Sequence, residues 1–164
     1  MRPTLAGLLL VAAVALASCG ETTVDAAIGE KFIRGVVVEQ IGARVASVRC
    51  PDGVKARRGG VFTCTVTGMD GSKGNVDVTQ KNDKSALEVI VPFLHVRQAE
   101  RVMADRIDPR AKADVRVACP EIVVDTKGGL FTCKVTIGGT SRRVAVRLTD
   151  GAGHFRFRPP ARPR

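Results

Sequence analysis

An α+β fold built twice over is predicted by three features of the 164-residue chain. The text VRCPDGVKARRGGVFTCTVT, beginning at Val48, returns as VACPEIVVDTKGGLFTCKVT, beginning at Val117. Each copy is preceded by apolar residues at helical spacing. Each contains and is followed by short runs in which apolar and polar residues alternate, the period of a half-buried strand. At an offset of 69, Cys50 maps to Cys119, Cys64 to Cys133, and Phe62-Thr63-Cys64 to Phe131-Thr132-Cys133. A tandem duplication of this kind sets two units. We place repeat one at residues 29–92 and repeat two at residues 93–158, each a single helix packed on a small antiparallel sheet.

Upstream lies an export-type leader, residues 1–18. Arg2 supplies a positive start, and residues 5–16 form an apolar run of signal-peptide length. A membrane-spanning helix needs about 20 such residues, so this run is too short for a permanent span. The sequence Leu16-Ala17-Ser18-Cys19 resembles the lipobox of bacterial lipoproteins, in which small residues precede a cysteine that receives a diacylglyceryl group. That resemblance implies that Cys19 is the lipidated first residue of the mature chain. Two acyl chains hold a protein stably on a bilayer where one does not. Residues 19–28 then form the lipidated cysteine and a short linker. Its nine residues after Cys19 reach at most about 30 Å, which keeps repeat one beside the membrane.

In repeat one, Ile28, Phe32, Ile33, Val36, Val37 and Ile41 are spaced for a helix that Gly29 and Gly35 weaken and Gly42 ends. Strands follow at Phe62, Cys64 and Val66, at Val76 and Val78, and at Leu87, Val89 and Val91. Turn signals sit at Met69-Asp70-Gly71-Ser72 and Asn82-Asp83. In repeat two the helix is marked by Ala99, Val102, Met103 and Ile107, with Asp108-Pro109 as its stop. Its strands carry Phe131, Cys133 and Val135, then Val144, Val146 and Leu148, then Phe155 and Phe157. Turns fall at Gly138-Gly139 and Asp150-Gly151. Residues 159–164 form a basic, Pro-rich tail expected to be extended.

Five cysteines are present, and setting Cys19 aside leaves two evenly spaced pairs. In an exported chain these read as disulfides Cys50–Cys64 and Cys119–Cys133, each closing its own repeat. Zinc is the rival reading, but paired C-x-x-C spacing and suitably placed histidines are missing, so no metal and no cofactor is expected. With helix, V-x-C-P, glycine and an F-T-C-x-V-T-like strand present twice, the chain resembles the repeat of bacterial cell-envelope lipoproteins called domain of unknown function 4333. The resemblance implies an envelope location and a lipid anchor. It supplies no activity and no catalytic residues.

Charge is distributed unevenly. Residues 19–92 hold 10 Lys+Arg and 9 Asp+Glu, whereas residues 93–164 hold 15 and 7. Strand parity sends Lys134, Arg143, Arg147, Arg156 and Arg158 to one outward sheet face, where repeat one has Thr65, Asp77, Thr79 and Glu88. These five are the candidate anion-binding residues. The partners such a face fits are an anionic lipid headgroup, a wall polymer or an acidic protein patch. Two alternatives stand beside it: a solvated face without a ligand, and a pairing of the two sheets through Asp77 and Glu88. Nucleic acid is not expected, because an exported chain does not meet it and no Trp or Tyr offers a stacking platform.

Catalysis has little to draw on. The two histidines, His95 and His154, have no triad partners in sequence, the acids form no paired motif, and no glycine-rich loop follows a strand. The expected function is therefore that of a non-catalytic binding module in the cell envelope. A structural lipoprotein that holds another envelope protein is the alternative.

Overall fold

The computed structural model describes residues 22–84, 86–109 and 114–161. The first unit runs α1 (Ala26–Ile41), β1 (Val45–Arg49), β2 (Val61–Gly68), β3 (Lys73–Gln80) and β4 (Leu87–Val89). The second repeats this order as α2 (Val96–Ile107), β5 (Val115–Ala118), β6 (Leu130–Ile137), β7 (Thr140–Leu148) and β8 (Phe155–Phe157). Each unit is a four-stranded antiparallel sheet in sequence order with its helix on one face. The expected α+β class, two tandem sheet units and two disulfides are all present.

Local chemistry sets the helix ends. The Asp25 carboxylate accepts from Ala27 N at 2.8 Å and Ile28 N at 3.3 Å, satisfying two of the amides a helix start leaves open. Gly42 closes α1 in the left-handed region, φ 65°, donating its N–H to Val38 O. The helix thus begins within the segment expected to be linker. Thr23 also bridges to Lys55 and Val24 is buried, so the free tether is shorter than residues 19–28.

Ile33, Val37 and Ile41 lie over Cys64, Val66, Val76 and Val78 in one core. In the other, Met103 lies over Val115, Val135, Val144 and Val146. Met103 is fully buried, which stabilises its unit by about 1.5–3 kcal/mol. The disulfides Cys50–Cys64 and Cys119–Cys133 pin the loop after the first strand of each sheet to the second strand. Each helix adds a second tie. Glu30 accepts from Cys50 N at 3.2 Å, and Glu100 accepts from Cys119 N at 2.8 Å.

A junction that the sequence did not announce joins the units. Gly74 on β3 has no side chain, and a Cβ there would lie 2.5 Å from the Phe93 ring and 2.9 Å from Ile122. Phe93 and Ile122, both buried, accordingly belong to the first unit's core although they flank α2 and β6 of the second. Polar ties surround this plug. Asp70 accepts from Glu121 N at 3.0 Å, the Ser72 hydroxyl accepts from Ile122 N at 2.9 Å, and Arg44 meets the Glu121 carboxylate at 2.5 Å. Burial raises the Asp70 carboxyl, but hydrogen bonds from the Ser72 hydroxyl, Glu121 N–H and Ser72 N–H outweigh it and hold the group below its ordinary range.

This geometry corrects one expectation. Asp77 and Glu88 do not reach across to the second sheet. Asp77 accepts from the Thr63 hydroxyl at 2.7 Å, and Glu88 pairs with Lys81 at 2.8 Å, both within the first unit.

Candidate functional site

The second sheet turns its inner face to α2 and leaves the other open. Register fixes what that open face carries. Lys134 stands opposite Arg143, Leu130 opposite Arg147, and Arg147 opposite Arg156. All four cations are exposed. Directly opposed residues on neighbouring strands hold their Cβ atoms about 4.5–5.5 Å apart, so these are two like-charged pairs. Four residues of strand separate Arg143 from Arg147, about 13–14 Å at the usual rise. Between the pairs lie the small residues Ala145 and Thr132.

Sequence parity therefore placed Lys134, Arg143, Arg147 and Arg156 correctly. Arg158 is exposed but follows β8 by one residue, at the margin of the face. Arg116 was missed. It is exposed on β5 opposite Thr136, next to the Lys134 strand, and its signal was the Val115-Arg116-Val117 alternation before Cys119. None of the outward positions on β5 to β8 is acidic. One carboxylate, Asp70, borders a hollow of about 390 Å³ that Lys134 and Arg143 also line. Its oxygens are already engaged by Ser72 and Glu121 N.

The duplication supplies an internal comparison. Thr65 faces Asn75 where Lys134 faces Arg143, and Thr79 faces Glu88 where Arg147 faces Arg156. Asp77 corresponds to Ala145 rather than to an arginine, because the β2–β3 turn is one residue longer than the β6–β7 turn. The same backbone thus tolerates a face of mixed charge, on which Arg49 and Lys73 stand with Asp77 and Glu88. Folding does not require the cations.

A second concavity of about 330 Å³ lies between α2 and the loop before β8, lined by His95, Gln98, Arg106, Asp125, His154 and apolar neighbours. His95 occupies the start of α2 without a side-chain cap bond. His154 approaches Asp150 at 2.8 Å, and the Asp150 carboxyl is held down by the Ala152 N–H and by this contact. Burial pushes the Asp125 carboxyl up against the opposing effect of the Gly153 N–H, and its Oδ1 is buried without a hydrogen bond. Its ionisable lining groups are two imidazoles, one carboxylate and one guanidinium.

Cys19 lies outside the described residues. Among those described, no helix is long and apolar enough to cross a membrane.

The chain is thus a tandem pair of disulfide-closed α+β units with one cationic sheet face. Residues 8–85, a span that takes in most of the first repeat, match the family described as domain of unknown function (DUF4333). The second repeat, residues 93–158, lies beyond the matched span and is tied to the first by the internal duplication. No curated protein and no solved structure matches the chain.

Proposed function

We propose that the protein is a lipid-anchored, extracytoplasmic envelope protein that acts without catalysis and binds an anionic envelope component on the open face of the second sheet. The observation that carries this reading is the contrast between duplicates. Arg116, Lys134, Arg143, Arg147 and Arg156 share one face with no acidic residue on its own strands, while the sister sheet has no such face. Two cation pairs about 13–14 Å apart suit a ligand with repeated negative charge better than a single small anion. Guanidinium forks favour carboxylate or phosphate oxygens. The lipid anchor is supported by the Leu16-Ala17-Ser18-Cys19 sequence, and the two disulfides are compatible with an oxidising compartment.

The chain is expected to co-sediment with separated envelope lipid or wall-polymer fractions and to lose that binding as salt rises, since exposed charges are screened over about 10 Å at 0.1 M. Changing Arg143, Arg147 and Arg156 together to glutamate abolishes it. Binding indifferent to both salt and the triple change would overturn the anionic-ligand reading in favour of an assembly role. The anchor is checked separately: radiolabelled palmitate should enter the wild-type chain in bacterial cells and not Cys19→Ser. Equal labelling of both sinks the assignment of Cys19.

A further inference from the structure

The outer side of α1 carries an apolar stripe where folding gives no reason for it. Ile28, Phe32 and Val36 recur every four residues, so they form one stripe. Ile28 is 57% and Phe32 39% exposed, Val36 is half-buried, and with Gly35 they line a shallow open groove that the charged Lys31 and Glu39 border. The opposite side of the helix, through Ile33 and Val37, already fills the core.

The duplicate helix again serves as the comparison. The ties Glu30 to Cys50 N and Glu100 to Cys119 N align α1 with α2 at an offset of 70. At that offset the inner residues stay apolar, Ile33 matching Met103 and Val37 matching Ile107. Of the outer residues only Phe32 keeps an apolar match, Val102. Ile28 becomes Gln98, Gly35 becomes Asp105 and Val36 becomes Arg106. A helix in this fold can therefore carry polar residues at three of these positions, where α1 keeps Ile28, Gly35 and Val36 between the charged Lys31 and Glu39.

Position supplies the occupant. Cys19 precedes the Asp25 cap by six residues, which span at most about 20 Å when extended. A chain held at Cys19 keeps the start of α1 within that distance of the bilayer surface, whereas α2 begins some seventy residues further on. We infer that the Ile28–Phe32–Val36 stripe of α1 seats in the interfacial region of the bilayer, laying the first unit on the membrane. Apolar faces of surface helices bury about 5–10 Å into the headgroup and acyl boundary. Exposed Lys31, at the edge of the stripe, can keep its ammonium among the headgroups while its stem lies flat. This inference rests on the lipid-anchor reading of Cys19.

The chain has no tryptophan, so one introduced indole reports a single position. The chain from Cys19 onward keeps every residue of both cores, and with its disulfides formed only Cys19 offers a thiol for coupling to a maleimide lipid. Neutral phosphatidylcholine vesicles carrying brominated acyl chains remove any pull on the cationic sheet. Phe32→Trp and Ile28→Trp are expected to shift their emission to the blue and lose intensity to the bromines. Val102→Trp, on the matching position of α2, should do neither. Unquenched indoles at both 28 and 32 on a tethered chain would overturn the inference. So would equal quenching at 102, which means general adsorption. A blue shift that grows with surface density without bromine quenching also overturns it, because a second copy then covers the stripe. Palmitate labelling of Cys19 is read independently. Failure there removes the anchor, while failure of quenching on a chemically tethered chain removes the docking face alone.

Discussion

Replacing Cys119 and Cys133 together by alanine is expected to cost about 2–5 kcal/mol and to leave the second unit unfolded at physiological temperature. Each bridge closes a 14-residue separation, for which constraint of the unfolded chain alone contributes about 3 kcal/mol. Units of this size bury only about 60% of their unfolded surface, so little reserve stands behind the bridge. Cys133 is also fully buried among Val135, Val144 and Phe131, and alanine there leaves a gap. Denaturant titration of the full chain reads the effect as a lowered midpoint for part of the signal. Reduction of the unmutated protein separates the covalent part from the packing part. An unchanged midpoint in both cases would show that the bridge does not hold the unit.

Phe93→Ala is expected to cost a further class of stability, about 3–5 kcal/mol, because the ring is 4% exposed and fills the notch above Gly74. The loss falls on the junction. With the ring gone, Ile122 and the ties from Asp70, Ser72 and Arg44 must hold the units, and polar ties of this kind contribute about 0.5–1.5 kcal/mol each. Calorimetry should therefore show one cooperative transition in the wild type dividing into two in the variant. Phe32→Ala, which truncates an exposed ring of the same type, should stay within about 0.5 kcal/mol. Equal effects at 93 and 32 would contradict the junction described above.

The repeat, the strands and the disulfide pairs were legible because each leaves a local or periodic trace. Phe62, Cys64 and Val66 point inward as their alternation predicts, and Phe131, Cys133 and Val135 follow suit with Phe131 only half-buried. Gly42 and Asp108 end their helices where the punctuation placed them. Most of the cationic face was readable by the same parity. The rest had no such trace. Glu121 meets Arg44 across 77 residues, and Ser72 meets Ile122 across 50, contacts that no window along the chain can register. The slip in matching Asp77 to an arginine has the same origin. The alignment of the two copies changes from 70 on the helices to 69 on β2 and β6 and 68 beyond the turn. Only backbone pairing reveals those steps.

Gly74 sits opposite Val66 on its sheet, and the residue opposite the matching Val135 is Arg142, exposed. The acceptor notch of the first unit thus has no counterpart in the second. Asp70 and Arg44 are likewise replaced, by the Gly138-Gly139 turn and by Asp114. The plug residues differ as well, since Thr23 and Gly53 stand where Phe93 and Ile122 do. Head-to-tail addition, which in other repeat proteins extends into solenoids and between identical chains into filaments, has no further socket to enter. The first unit's socket is filled by its own neighbour, and the second unit offers none. Duplication has made a pair in which only one unit carries a socket, and the two sheet faces differ in charge.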